Sequence, residues 1–374
     1  MAEKQRSSNL ELFRIITMLL IVAHHYVVNS GLTAADGPIL TNLSSWKSIF
    51  LLIFGAWGKT GINCFVLITG YFMCQSKITL KKFVKLIFEI ELYKVVITCI
   101  FIITGYEAFS VKSVVADILP IRSIAQNFTG CYLMFFLCIP FLNILIRNIN
   151  EKQHIYIILI LGFIYIGMGT MPKFSVDMNY VSWFAVLFLI SSYIRLYPKK
   201  IFERKGIWAI LTLASIVLSV LSILVLIKLG LTENANHIYY FVADSNKIFA
   251  VTTALCAFML FKNLKIRTSK FINTVAMSTF GVLLIHANSS TMRQWLWKDT
   301  INCVGAYNSP YMVVYAIGSV VIIFAVCTVI DYLRIRFIEK AFFKVWDKYE
   351  ERIVSIYKKQ EERLCRKLLG EEEK

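Results

Sequence analysis

Residues 10–28 read LELFRIITMLLIVAHHYVV, an apolar run that nevertheless contains Glu11, Arg14, His24 and His25. A helix crosses a bilayer with about 20 predominantly apolar residues, so the run predicts a membrane-spanning helix. Ionisable side chains inside such a helix cost free energy, and they mark either a functional site or a structural ion pair. This stretch therefore predicts the fold class and also the region where chemistry is expected.

The composition of the whole chain agrees with a membrane protein. Hydrophobic residues make up 57% and charged residues 17% of the 374 residues, whereas soluble domains average about half apolar and a quarter charged. A soluble core could not bury this much apolar surface. Intrinsic disorder and a small disulfide-stapled secreted module are excluded on the same ground.

Ten apolar runs predict an all-α, polytopic fold of about ten transmembrane helices. The runs are Leu10–Val28, Ile49–Met73, Phe83–Thr104, Phe128–Ile146, Ile155–Met171, Val181–Tyr197, Ile207–Leu229, Lys247–Phe261, Ile272–Ala287 and Tyr311–Ile330.

The basic residues predict the orientation of these helices. With the N-terminus placed inside, 29 of the 40 Lys and Arg fall in inner segments, 7 in outer segments and 4 within spans. Positive loops favour the cytoplasmic side, so both termini are expected in the cytoplasm. The net charge of +17 then reflects orientation and contact with anionic lipids, and no nucleic-acid partner is expected.

Arg14 and His25 are predicted to share one face of the first helix. An α-helix turns about 100° per residue, so the 11 steps between them leave a residual angle of about 20° and a rise of about 16 Å. Glu11 lies near the same face, whereas His24 points elsewhere. A polar stripe is therefore expected along one side of this helix.

His286 ends the ninth run at a depth similar to that of His25, counted from the inner end of each helix. The two imidazoles could meet in a cavity, or each could bond a backbone carbonyl. Histidine is the usual proton-transfer side chain near neutral pH, which makes the first alternative chemically interesting.

Other ionisable groups have two readings. Lys82 and Lys85 are i, i+3 neighbours at the inner surface, where they could grip phosphates or simply anchor the helix, with Lys85 pairing to Glu89. Lys59 lies inside a span and is either structural or electrostatic. His154 is expected in a short solvated loop. No metal site is predicted, because no His pair has helical ligand spacing.

The segment Asn9-Leu-Glu11-Leu-Phe-Arg14, followed by His24-His25-Tyr26, resembles the opening of the acyltransferase family 3 membrane proteins, whose signature is an Arg, ten residues and a His. Further segments are similar to Gram-positive polysaccharide O-acetyltransferases of that family: 58–72 (GKTGINCFVLITGYF), 140–143 (PFLN), 183–184 (WF), 192–195 (SYIR), 261–265 (FKNLK) and 278–286 (STFGVLLIH).

The resemblance implies a multi-pass protein of the bacterial cell membrane that moves an acyl group, usually acetyl, from cytoplasmic acyl-CoA to a glycan hydroxyl. It implies His25 as the catalytic residue, Arg14 as a residue that binds or orients the donor, and Lys82 with Lys85 as contacts of the CoA phosphates. His286 would position His25 or the acceptor. Acyl-CoA is then a donor substrate, with no permanently bound cofactor.

The resemblance leaves two questions open. His25 could act as a base in a ternary complex or accept the acyl group first. The rival function is a polysaccharide exporter or flippase, since some proteins of this appearance are assigned to polysaccharide export; other polysaccharide-biosynthesis membrane proteins are expected partners in either case.

Two regions are expected along the chain: a membrane acyltransferase domain at 1–330 and a charged cytoplasmic tail at 331–374. The tail holds 12 basic and 10 acidic residues with interspersed apolar positions, which predicts an amphipathic helix at the membrane surface. A coiled-coil contact with a partner is the alternative.

Overall fold

The computed structural model describes residues 7–110, 128–174, 176–230 and 234–369. Throughout these ranges the regular structure is helical, and no strand occurs in them. The prediction of an all-α fold is therefore confirmed for the described part of the chain.

Thirteen of the described helices have eight residues or more. They are α1 (Ser8–Val28), α2 (Trp46–Gly55), α3 (Gly58–Met73), α4 (Leu80–Ile103), α5 (Phe128–Asn148), α6 (Glu151–Gly162), α7 (Tyr180–Leu196), α8 (Lys205–Lys228), α9 (Ile248–Lys262), α10 (Lys270–Met277), α11 (Thr279–His286), α12 (Met312–Leu333) and α13 (Lys340–Leu369). Shorter helical pieces are Pro38–Thr41, Phe163–Met168, Lys200–Glu203, Ala235–Ile238, Ser290–Arg293, Gln294–Thr300, Cys303–Ala306 and Arg334–Glu339.

Six of the helical segments are long and apolar enough to cross a membrane, and a seventh is added if the bent pair Lys270–His286 and Ser290–Ala306 is one span. Each predicted apolar run lies on a helix or a helix pair, but α7 and α9 have only 17 and 15 residues. The chain is thus a multi-pass helical membrane protein. Ten spans and cytoplasmic termini stay a prediction.

Helix α1 lies at the centre of the fold. It packs against α2, α3, α9, α10, α11 and α12. Leu10 and Phe13 belong to one buried apolar cluster, which α3, α5, α7 and α9 complete, while Met18 and Val22 belong to a second cluster shared with α2, α11 and α12. Both ends of α1 are therefore held by surrounding helices, and side chains on it are well positioned.

Close approach between α1 and α3 depends on Gly58. A Cβ atom at this position would overlap the ring of His24, so only a residue without a side chain fits. The same argument applies where Gly281 on α11 faces Asp331 on α12.

The chain bends by 94° between α10–α11 and the following helical segment. His286 is the last residue of α11, directly before this bend. The side chain of His286 therefore lies where one helix stops inside the protein.

The structure corrects the expected position of one polar residue, His154, and gives the partners of another, Lys59. His154 lies in α6, not in a solvated loop; it is fully buried and its Nε2 is 3.0 Å from the Leu189 carbonyl oxygen. That expectation was wrong because α6 begins at Glu151 and packs on α7. Lys59 donates to the Tyr180 hydroxyl at 2.7 Å and lies 3.6 Å from an Asp244 oxygen.

Candidate active site

The structure brings His25 and His286 together. Nδ1 of His25 lies 2.9 Å from Nε2 of His286, and the ring centroids are 5.1 Å apart. His286 is completely buried, whereas His25 is partly exposed. His25 and His286, which are expected at similar depth on two helices, are thus in direct contact.

A backbone carbonyl determines which ring nitrogens carry protons. Nδ1 of His286 lies 2.6 Å from the Val282 carbonyl oxygen, which can only accept, so that nitrogen must donate. Nε2 of neutral His286 then accepts from Nδ1 of His25. It follows that Nε2 of neutral His25 carries a lone pair and no proton.

The pair borders a cavity of about 230 Å³ between α1, α3, α4, α5 and α11. Ile21 and His25 contribute the wall from α1, and Arg14 does not border this cavity. The polar and charged residues of the lining are His25, Glu91, Lys94, Thr129, Asn288 and Arg293. Room for a small reactive group therefore lies next to the imidazole pair.

His24 points away from this cavity, as predicted. Its Nδ1 lies 2.6 Å from the Gly55 carbonyl oxygen on α2, and the side chain lines a different cavity beside Lys59. Adjacent histidines on α1 thus face two separate environments.

Arg14 lies on α1 nearer the N-terminus than His25 and does not contact it. Its NH1 is 3.6 Å from Glu11 Oε2, and its Nε is buried with no hydrogen-bond partner among the described residues. The guanidinium therefore retains an unused donor inside the protein.

Lys82 and Lys85 border an open groove of about 1040 Å³ at the N-terminal end of α4. The basic residues of the lining are Lys81, Lys82, Lys85, Arg336 and Lys340. Lys85 forms an ion pair with Glu339 and not the expected one with Glu89, and the Lys82 ammonium donates to the Lys77 carbonyl oxygen at 2.7 Å. Of the two predicted phosphate contacts, Lys82 is thus the one without a carboxylate partner in the described structure.

A buried ion cluster beneath this groove was missed by the sequence analysis. The three nitrogens of the Arg334 guanidinium lie 2.8 Å from Asp331, 2.7 Å from Glu339 and 3.1 Å from Glu89. Tyr93 donates to Asp331 at 2.7 Å. The i, i+3 spacing of Asp331 and Arg334 at the end of an apolar run was the available signal.

Arg293 was also missed as a cavity residue. It lies in the short helical segment after the 94° bend and borders the His25 cavity, and its Nε donates to the Ser289 carbonyl oxygen. No carboxylate pairs with it in the described ranges. A single Arg in an outer segment has no sequence signal that distinguishes it from an ordinary surface residue.

No group of three or more His, Cys, Asp or Glu residues that could hold a metal ion occurs within the described ranges. The ionisable groups that border the cavity are the imidazole of His25, the carboxylate of Glu91 and the cations of Lys94 and Arg293.

Comparison with known proteins gives one result on the family and two negative results. The acyltransferase 3 family model, an acyltransferase domain, matches residues 7–331. No curated protein and no solved structure matches significantly. The matched range includes Arg14, His25 and His286 and covers most of the chain, and the chain therefore belongs to the acyltransferase 3 family and is an acyltransferase.

Proposed function

We propose that this protein is a membrane O-acyltransferase that moves an acyl group, most simply acetyl, from cytoplasmic acyl-CoA to a hydroxyl of a cell-surface or lipid-linked glycan. The observation that carries the proposal is the chain of contacts from the Val282 carbonyl through His286 to His25, which leaves a basic nitrogen at a cavity. A hydroxyl is a poor nucleophile until a base removes its proton.

The transfer can be written with His25 as that base. Nε2 takes the proton of the acceptor hydroxyl, whose oxygen attacks the thioester carbonyl carbon. The carbon–sulfur bond breaks, and the CoA thiolate takes the proton back from the imidazolium. The products are the acyl ester and free CoA thiol, and His25 is regenerated.

His286 has a positioning role in this scheme. Its Nε2 accepts from Nδ1 of His25 both before and after Nε2 of His25 gains a proton. The contact therefore keeps the reactive nitrogen directed at the cavity and supports the imidazolium, in the manner of the orienting residue of a catalytic triad.

The donor would approach from the groove beside Lys82. An ammonium without a carboxylate partner suits the phosphates of CoA. Arg14, with its unused Nε, lies about 16 Å along α1 from His25 at the helical rise of about 1.5 Å per residue. That separation suits an extended pantetheine arm whose thioester reaches His25 while Arg14 binds further back.

The reaction is tested by reconstitution of the purified protein in lipid vesicles with radiolabelled acetyl-CoA and polysaccharide extracted from the source cells. We expect acetyl ester in the polysaccharide together with equal release of CoA thiol. His25→Ala at matched protein amount should lower the rate about 100-fold or more. An unchanged rate for this variant would contradict the proposal.

The alternative of a polysaccharide exporter is separated by a deletion strain. The enzyme predicts surface glycan of normal amount that lacks acetyl groups. Glycan trapped inside the cell, with its acetyl content unchanged, would support the exporter and overturn the proposal.

A further inference from the structure

Three cavities surround the C-terminal end of α1, the end predicted to face outside. The first is the His25 cavity, with Arg293 in its wall. The second, of about 460 Å³, is bordered by Asn29, Thr33 and again Arg293. The third, of about 670 Å³, is bordered by His24 and again by Asn29 and Thr33. Each cavity thus shares wall residues with the next.

Because each cavity shares wall residues with the next, the three lie side by side around the helix end. His25 borders the first and His24 the third, in directions about 100° apart around α1, and the rings of these neighbours are 5.8 Å apart. Arg293 forms the first junction, and Asn29 with Thr33 forms the second. A ligand that binds in only one of the three cavities would leave the other two unoccupied.

Most of the residues that border the third cavity are polar or charged. Among them are His24, Asn29, Thr33, Asn236, Asp244 and Lys247. Asp244 offers carboxylate oxygens with its side chain 42% exposed, and Lys247 lies over the Tyr240 ring at 4.5 Å.

This lining suits a ligand rich in hydroxyl groups. Hydroxyls both donate and accept hydrogen bonds, so they match carboxylate, amide and ammonium partners together. Several of the lining groups already bond within the protein, His24 to Gly55, Lys59 to Tyr180 and Lys247 to Gly169. An acyl chain or a lipid tail offers no hydrogen bond to the polar atoms that still face the cavity.

We propose that the three cavities are subsites of one groove for an extended, polyhydroxylated acceptor chain of several units. The unit that is acylated lies at His25 beside Arg293, the chain passes Asn29 and Thr33, and a distal unit occupies the cavity of His24 and Asp244. The inference rests on the proposed function, because it names the form of the acceptor.

Distal binding has a kinetic consequence. Contacts remote from the reacting bond raise the rate of transfer when their energy holds the reacting unit in place. A multi-unit acceptor that also contacts the distal cavity therefore gains this energy, whereas an acceptor that fills only the His25 cavity does not.

The test measures acetyl transfer to size-fractionated oligosaccharides from partial hydrolysis of the source polysaccharide, from a single repeat unit to a tetramer. For the wild type we expect kcat/KM to rise about tenfold or more with length, equivalent to about 1.4 kcal/mol. Asp244→Asn should remove most of this length dependence, whereas Asp177→Asn, the same change at an exposed position outside these cavities, should keep it.

Because Asp244 also pairs with Lys59, a second variant guards against misfolding. Asn236→Trp places a bulky ring in the distal cavity from an exposed position and should likewise remove the length dependence. If the wild type acetylates all fractions at equal rates, or if both variants keep the length dependence, the groove proposal is wrong and the proposed function is unaffected. Failure to acetylate any fraction would overturn the proposed function and the groove with it.

Discussion

Two buried polar clusters in this protein differ in how completely their groups are paired. Around Arg334, each nitrogen of the guanidinium has its own carboxylate, from Glu89, Asp331 or Glu339. Around His25, the contacts run in one direction from the Val282 carbonyl and end at a ring nitrogen beside a cavity. A closed cluster holds helices together, whereas an open one retains a group that can react.

The first prediction concerns the closed cluster and has the largest expected effect on stability. Arg334→Leu removes the guanidinium that three neighbouring buried carboxylates share, and it leaves only Lys85 to pair with Glu339 and only Tyr93 to bond Asp331. Breaking such a buried pair costs about 3–5 kcal/mol. We expect a marked fall in membrane abundance and in the thermal denaturation midpoint in detergent. Arg336→Leu, on the exposed side of the same segment, is the control. If Arg334→Leu is as stable as the control and only activity is lost, the cluster is not structural.

The second prediction concerns the positioning residue of the open cluster. His286→Leu removes the acceptor for His25 Nδ1 and should lower kcat about 100-fold, with little change in the KM for acyl-CoA. His286→Gln supplies a carbonyl oxygen close to the position of Nε2 and should recover to within about tenfold of the wild type. Equal losses in both variants would show that the hydrogen bond to His25 is not what matters.

The third prediction separates a donor-binding Arg14 from a structural one, with a smaller effect. Lysine preserves the charge near Glu11 but lacks the planar fork and the Nε donor. Arg14→Lys should raise the KM for acyl-CoA about tenfold at normal abundance, equivalent to about 1.4 kcal/mol. Arg147→Lys on an exposed helix end should have no effect. Wild-type affinity in Arg14→Lys would leave the ion pair with Glu11 as the better account.

Features that depend on one helix could be predicted from the sequence. The positions of the helices follow from runs of apolar residues, and the different directions of His24 and His25 follow from the 100° turn per residue. The approach of His286 to His25 joins two helices, and their similar depth suggested it only as one of two alternatives. The family match over residues 7–331 agrees with the resemblance carried by Arg14 and His25.

Features that depend on the packing of two or more helices could not be predicted. Burial of His154 requires the contact of α6 with α7, and the pairing of Lys85 with Glu339 joins residues 254 positions apart. Arg293 reaches the cavity only because the chain bends by 94° before it.

The difference between the two faces of α1 is tested most directly by His24→Ala and His25→Ala, compared as initial rates of labelled acetyl transfer at matched membrane abundance. A positioned base contributes about 10²–10⁴-fold, so His25→Ala should lose at least about 100-fold. His24→Ala removes a residue that borders only the distal cavity, and its rate should stay within about tenfold of the wild type. Comparable losses from the two variants, or a larger loss from His24→Ala, would contradict the assignment of the reactive nitrogen to His25.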